Sequence, residues 1–306
     1  APTVKVTVWT GDNSGSFSVP AGASTGIHEV YELRDKDGKG VKQSIGKVNG
    51  IISKSLLGLD VRNQKKIDEI MIKLDGTSNK SNLGGNSMIG VSIACAKVAA
   101  KVTEQEIYQY LRTLAEIKPS RKAPYLFMNL IEGGKHTNSS LSFQEYHVVP
   151  QTDNIKEAVD IGIKMQDTLK EIIIKDLGEE SINLGDEGGF APKIDDVRKP
   201  LLYLTEAVSK NNLQNKVRLA LDIAASSFYN NGFYKISGKQ LSKEEIIAVY
   251  HSLIEEFNLI SIEDPFNQED FDSFRKLKEQ HQNLLIVGDD LTVSNPALLQ
   301  KAIKNG

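Results

Sequence analysis

The chain has 306 residues, of which 25% are charged and 40% hydrophobic, and its net charge is −3. This balance is typical of a folded globular protein of about two domains. No basic block that could follow a phosphate backbone occurs, so a nucleic-acid partner is not expected. The single cysteine, Cys95, excludes an internal disulfide framework.

Neither a membrane span nor a signal peptide is evident. The most apolar stretch, residues 88–98, contains Lys97 and is too short to cross a bilayer. The first residues lack the charged start and apolar core of a secretory signal. We therefore expect a cytoplasmic protein with no membrane partner.

The first third of the chain shows strand patterns followed by helix patterns. Residues 3–9 alternate apolar and polar side chains, and after a turn at 11–15 a second short strand is expected to reach Val19. Apolar residues then recur at helical spacing over 40–74 and again over 87–102. This order predicts an α+β domain.

A polar segment with two prolines, residues 118–124, is the predicted domain boundary, which gives domains 1–121 and 122–306. Beyond it apolar strands alternate with amphipathic helices. The predicted elements are strands at 217–223, 259–262 and 284–287, and helices at 244–257 and 271–280. Repeated strand and helix units indicate an α/β fold, either a barrel or a doubly wound sheet.

Three of these strands end in acidic residues. The acids are Asp222 in the first, Glu263 and Asp264 in the second, and Asp289 and Asp290 in the third. In a β/α barrel the carboxyl ends of the strands meet at the active site, and carboxylate oxygens suit Mg²⁺. One such acid is as often a cap as a ligand, but three in the same position favour a metal site, with the first acid of each pair as the ligand.

Two glycine-rich loops and one strand-like stretch add further candidates. Glu145 lies in the strand-like stretch, and Glu187 lies in the loop 184–192, whose glycines would let the backbone approach a ligand closely. Composition alone favours a solvated turn for this loop. His136 follows two glycines in the other loop, where a lone histidine is more often structural than catalytic.

Several short segments are informative because of their order. They are Gly-Ala-Ser-Thr-Gly at 22–26, Asp-Gly-Thr at 75–77, Asn-Lys-Ser at 79–81, Gly-Asp-Glu-Gly-Gly at 185–189, Ser-Ile-Glu-Asp-Pro-Phe at 261–266 and Gly-Asp-Asp-Leu-Thr-Val at 288–293. In this order they resemble the enolase family. The resemblance implies a glycolytic lyase that dehydrates 2-phosphoglycerate to phosphoenolpyruvate. It also implies an N-terminal α+β domain, then a TIM-like β/α barrel whose first strands are unusual in order and direction.

The resemblance also assigns roles to the metal candidates. It implies two Mg²⁺ ions in each active site. Asp222, Glu263 and Asp289 resemble the ligands of the first ion. Ser24 resembles the loop residue that closes over the substrate and helps to hold the second.

Further roles concern the substrate and its proton transfers. Glu187 resembles the general acid that protonates the departing hydroxide, with Glu145 beside it, because two neighbouring carboxylates can share a proton and raise one pKa. His136 resembles a catalytic loop histidine that contacts the substrate. The implied substrate-binding residues are His136, Gln144, Glu145, Glu263 and Asp289. The family further implies a homodimer.

The largest departure from the family concerns the catalytic base, a lysine expected on the strand after the one that carries Asp289. Instead, Asn295 and Pro296 start a predicted helix, which would place Lys301 and Lys304 outside the barrel. The apolar face of this helix is predicted to be Leu298, Leu299, Ala302 and Ile303. The second domain is also shorter than the roughly 250 residues of a complete barrel. We therefore expect a partial chain with an incomplete barrel, which lacks the base and the first N-terminal residues.

Two smaller departures affect the site. Glu132 replaces the asparagine usual in the family, and residues 224–227 lack an acid that often follows Asp222. These two departures concern fine geometry and not the family. The missing base makes a non-catalytic relative that binds a metal or a partner an alternative, and another member of the superfamily is a second alternative. The intact acids argue against the first alternative, and the loops around Ser24 and Glu187 fit enolase better than the second.

Overall fold

The computed structural model describes residues 2–22, 26–120, 122–134, 137 and 139–306. The chain forms two compact units, Ala1–Ser120 and Arg121–Gly306.

The first unit begins with an antiparallel hairpin of β1 (Lys5–Thr10) and β2 (Asn13–Ser18). The predicted alternation holds, because Val4 and Val6 are buried. Gly11 in the connecting turn has φ +53°, a conformation that costs glycine little because it has no Cβ. The hairpin thus presents one apolar face to the helices that follow.

The helices of the first unit are α1 (Lys42–Lys47), α2 (Ser53–Leu56), α3 (Gln64–Asp75), α4 (Gly85–Val102) and α5 (Ile107–Leu114), with a π-helical segment Val48–Ile52 between α1 and α2. The single helical stretch predicted over 40–74 is therefore interrupted. The interruption follows α2, where Gly58 adopts φ +83°, and α3 then starts at the cap Asn63, whose side chain accepts from the Lys66 amide.

Close packing of α4 on the hairpin explains its small residues. A Cβ on Gly90 would lie 2.8 Å from Val6 Cγ2, and one on Gly15 of β2 would lie 2.9 Å from the Ala94 carbonyl oxygen. Cys95 is buried in this core as a small apolar residue. The small side chains therefore let helix and hairpin approach.

The second unit contains the remaining strands and helices. They are β3 (Met128–Glu132), β4 (Glu145–Pro150), α6 (Ile155–Leu177), α7 (Lys199–Lys210), β5 (Val217–Asp222), β6 (Tyr229–Asn230), β7 (Phe233–Ile236), β8 (Lys239–Leu241), α8 (Lys243–Phe257), β9 (Ser261–Glu263), α9 (Phe271–Gln280), β10 (Leu285–Val287), α10 (Asp289–Thr292) and α11 (Pro296–Asn305). The predicted helices and strands of this half are present, and α9 has the predicted bounds.

The main sheet has the order β10-β9-β5-β4-β3. Strands β5, β9 and β10 are parallel, whereas β4 is antiparallel to both β3 and β5. Within the described residues the sheet is open, with β10 and β3 as its edges. This is the incomplete barrel with unusual first strands that the sequence predicts.

The apolar core lies on one face of this sheet. Tyr146 and Val148 on β4 belong to it, as does Leu221 on β5. Because side chains alternate along a strand, Glu145 and Asp222 must point to the opposite face. The fold thus separates a packed face from a face that carries the acids.

The predicted helix α11 is present, and the Asn295 side chain caps it by accepting from the Ala297 amide at 2.9 Å. The prediction of its apolar face is wrong in part. Leu299 and Ile303 are 51% and 71% exposed, because no described element covers that side of the helix. In the described part of the chain, no helix has the length and apolar character needed to cross a membrane.

Candidate active site

Four carboxylates lie in one row across neighbouring strands. Glu132 on β3 pairs with Glu145 on β4, and Glu145 pairs with Asp222 on β5. Asp222 in turn pairs with Glu263 on β9. Since adjacent strands are about 4.8 Å apart and paired residues share a face, the four side chains form a continuous acidic row.

Asp222 is a strongly perturbed member of the row. Its Oδ2 accepts from Gln144 Nε2 at 3.2 Å, and its Oδ1 accepts from the Ala224 amide at 3.1 Å. Burial, followed by the charges of Glu263 and Glu145, raises its pKa to about 9. The site therefore gathers more negative charge than its own groups neutralise.

Glu263 and Asp289 are neighbours at the end of the row. Burial and then the charge of Asp289 raise the pKa of Glu263. The expectation that β10 itself ends in the acid needs correction, because the strand ends at Val287 and Asp289 is the first residue of α10. The chain leaves the strand at Gly288, and an acid is favourable at the start of a helix.

Asp264 supports this corner of the site. Its Oδ2 accepts from the Asp290 amide at 2.9 Å, and its own amide donates to the Val287 carbonyl at 3.0 Å. Burial raises its pKa to about 7 although the Asp290 hydrogen bond opposes this. Asp264 therefore fixes the end of β9 to the start of α10.

Glu145 and Glu187 form a hydrogen-bonded pair of carboxyl groups with opposite pKa shifts. The hydrogen bond to Glu145 is the main cause that raises the pKa of Glu187 to about 8, and burial adds to it. Burial would also raise the pKa of Glu145, but hydrogen bonds from His147 and Glu187 outweigh it and lower the pKa to about 2. Near neutral pH the pair thus holds one proton, on Glu187.

The loop that carries Glu187 is attached to the edge strand β3. The Glu132 amide donates to the Phe190 carbonyl at 2.8 Å, and the Phe190 amide donates to the Leu130 carbonyl at 2.9 Å. Part of the carboxyl group of Glu187 is covered, but Glu187 remains exposed at the tip of this loop, where a substrate could reach it. Main-chain hydrogen bonds therefore attach the loop to β3 on the C-terminal side of Glu187.

Two family models match this chain. The model described as "Enolase, N-terminal domain" matches residues 1–111, and "Enolase, C-terminal TIM barrel domain" matches residues 121–306. The chain belongs to the enolase family. This is a family of enzymes, the phosphopyruvate hydratases, which are lyases.

Similar proteins include enolases of three archaea. The enolase of Methanocaldococcus jannaschii is 45% identical over 309 residues, which cover 99% of this chain and 72% of that protein. The enolases of Methanococcus aeolicus and Pyrococcus furiosus are 43% and 41% identical over the whole chain, again across 72% of their length.

Two predicted enolase residues, Ser24 and His136, lie outside the described residues. The structure brings together Gln144, Glu145 and Glu187, and it places Asp222 beside Glu263. Among the described residues, however, no group of three or more acidic, histidine or cysteine side chains is arranged so that it could hold a metal ion. The predicted ligands are thus adjacent without surrounding one point.

Sequence reasoning missed His147, and it noted Glu132 only as a departure from the family and not as a buried residue of the site. His147 Nε2 lies 2.7 Å from Glu145 Oε2, and the ring packs edge-on against Phe127. The signal for His147 was its position two residues after Glu145, on the same face of a strand. No local signal marked Glu132 as buried, because the loop that covers it lies more than fifty residues away.

A cleft of about 280 Å³ opens beside the acidic row, and its polar lining includes Glu145, His147, Asp222 and Glu263. The described lining of this cleft contains no lysine. The cleft therefore brings several carboxyl groups together, whereas none of the described groups in its lining is the lysine that enolases are expected to use as base.

Proposed function

We propose that the protein containing these residues is an enolase that dehydrates 2-phosphoglycerate to phosphoenolpyruvate. The observation that carries the proposal is the proton-sharing pair Glu145 and Glu187 beside the strand-end carboxylates Asp222 and Glu263. Elimination of a hydroxide needs a protonated acid next to a group that stabilises negative charge.

The oxygen donors of these carboxylates suit a divalent cation such as Mg²⁺, although the described side chains do not surround one point in this structure. Asp222, Glu263 and Asp289 offer only hard oxygen donors, and burial and mutual repulsion already raise the pKa of the first two. No lysine or arginine among the described residues forms an ion pair with Asp222 or Glu263. We infer that these three residues hold one Mg²⁺, and that Ser24 contributes to a second. When bound, Mg²⁺ supplies a Lewis acid that stabilises negative charge on the substrate carboxylate.

The described side chains then have separate roles in the rest of the reaction. Glu187 keeps its proton near neutral pH and delivers it to the departing hydroxyl group, because its pKa is about 8. Glu145 stays ionised, with its Oε2 held by His147 at 2.7 Å, and it orients the proton of Glu187. Gln144 keeps Asp222 in place through its amide. His136 is proposed to contact the substrate together with Gln144 and Glu145.

Removal of the α proton requires a base in addition to these groups. Because the described lining of the cleft has no lysine, we expect a polypeptide limited to residues 1–306 to lack enolase turnover. General base catalysis typically contributes about 10²–10⁴-fold. The alternative, a non-catalytic relative that binds a metal or a partner, would need no such base.

One assay separates the two candidates. The product of the gene that contains these residues should form phosphoenolpyruvate from 2-phosphoglycerate with Mg²⁺ and lose this activity when the metal is chelated. An inactive gene product that still binds Mg²⁺ through Asp222 would support the non-catalytic candidate. Calorimetric Mg²⁺ titrations of the wild type and of Asp222→Asn measure that binding directly.

The family also suggests a cytoplasmic enzyme that forms a homodimer, with no nucleic-acid or membrane partner. We propose both properties for this protein. Light scattering after size exclusion measures the oligomeric state of the gene product, and a monomer at micromolar concentration would contradict the dimer.

A further inference from the structure

The carboxylate of Glu132 is completely buried at the end of β3. Burial of a charged group is costly unless hydrogen bonds or opposite charges compensate for it. Here both carboxylate oxygens accept from the backbone amide of Glu187, at 3.2 Å and 3.3 Å. The buried carboxylate of Glu132 thus binds the backbone amide of Glu187, the residue to which we assign proton donation.

The loop is shaped around this carboxylate. A Cβ on Gly185 would lie 2.5 Å from Glu132 Cδ, and one on Gly189 would lie 3.0 Å from Glu132 Cβ. Any larger residue at Gly185 would displace the acid. Two glycines of the loop, Gly185 and Gly189, therefore allow the backbone to approach Glu132 closely, whereas a Cβ on Gly188 would meet nothing within 4 Å.

Glu187 is consequently held at two points. Glu132 holds its backbone amide, and Glu145 holds its side chain. The charged groups that face Glu187 among the described residues are Glu145 on β4, Glu132 on β3 and Asp186 in the loop, and all of them are acids. No described cation faces the Glu187 carboxyl, so its neighbours favour the protonated form.

We propose that Glu132 is a positioning residue that anchors the Glu187 loop and thereby holds the carboxyl of Glu187 against Glu145. This inference rests on the proposed enolase function for its effect on turnover. The anchoring itself does not, because it depends only on the bond between the Glu132 carboxylate and the Glu187 amide.

Two variants separate the contributions of Glu132. Glu132→Gln keeps the length of the side chain and an oxygen acceptor but removes the charge. Glu132→Ala removes both and leaves the Glu187 amide without its acceptor. The exposed acid Glu279 on α9 provides the matched control, Glu279→Gln.

The first measurement is the rate of hydrogen exchange at the Glu187 amide of the gene product, monitored by NMR. We expect exchange to be about tenfold faster or more in Glu132→Ala, which corresponds to loss of one charge-assisted bond. Glu132→Gln should retain most of the protection, and the control should match the wild type. Equal exchange in the wild type and in Glu132→Ala would overturn the anchoring, whether or not the protein is an enolase.

The second measurement is the pH profile of kcat. Turnover needs protonated Glu187, so it should fall on the alkaline side as that group ionises. Loss of the Glu132 charge in Glu132→Gln should move this limb to lower pH, and Glu132→Ala should lower kcat about tenfold with little change in KM. If Glu132 had a purely structural role, its substitution would lower the melting temperature but leave the alkaline limb of the pH profile in place. That result would overturn the proposal.

Discussion

Asp222 provides the sharpest test of the acidic row, because its carboxyl should weaken the fold when no cation is bound. Its pKa rises from 3.8 to about 9 in the folded chain, mainly through burial. A carboxyl whose pKa is raised on folding contributes full stability below its unfolded value, and this stability is lost as pH rises from there to the folded value. Between those limits the unfolded chain is ionised and the folded chain is not.

The size of the effect follows from the two values. Each pKa unit corresponds to about 1.4 kcal/mol, so at pH 7 the loss is up to about 4 kcal/mol relative to acid conditions. Asp222→Asn removes the ionisable group but keeps donors and acceptors of similar shape. In the presence of a chelator at pH 7, the variant should therefore unfold with a free energy up to about 4 kcal/mol higher than the wild type.

Denaturant unfolding of the gene product at pH 4 and pH 7, with chelator and with Mg²⁺, measures this difference. The gain should shrink towards zero at pH 4, and Mg²⁺ should stabilise the wild type but not the variant. Asp167→Asn on α6 is the control, because that side chain is exposed. A variant that is no more stable than the wild type at pH 7 with chelator would refute the claim that Asp222 is an uncompensated buried acid.

Three further predictions concern catalysis and the core. Glu187→Gln should lower kcat about 10²-fold or more with little change in KM, since proton delivery acts in the transition state, and equal turnover would remove Glu187 from the mechanism. Tyr250→Phe should raise the unfolding free energy by about 1 kcal/mol, because among the described residues the buried Tyr250 hydroxyl has no hydrogen-bond partner; a less stable variant in chemical denaturation would reveal a partner. Phe143→Ala should lower the unfolding free energy by about 3–5 kcal/mol, as Phe143 is fully buried against Tyr250; a loss below 1 kcal/mol would mean that this core collapses around the cavity.

Local patterns in the sequence were enough to predict several elements. The helical spacing over 271–280 predicted α9 with its correct bounds, and Asn295 marked the start of α11. These features depend on neighbours within one or two turns, and such neighbours are visible in the sequence itself. The acids that follow three strands were found in the same way, and the order of the motifs indicated the family.

Local sequence patterns gave wrong predictions where distant elements determine the structure. The apolar spacing over 40–74 continues through a break at Gly58, and the apolar residues Leu299 and Ile303 of α11 are exposed because no described element covers them. Periodicity along a chain reports which face of an element is apolar. It does not report what packs against that face.

The sequence alone determined which residue types could bind a cation and move a proton, and roughly which strands would carry them. Only the tertiary structure decided that Glu145, Asp222 and Glu263 stand in one register, that the carboxyl groups of Glu187 and Glu145 interact, and that Glu132 is buried beneath the loop. The physical reason is that pKa values and proton sharing depend on distances of a few ångströms. The partners in these contacts are separated by about forty residues or more along the chain, and only the fold sets those distances.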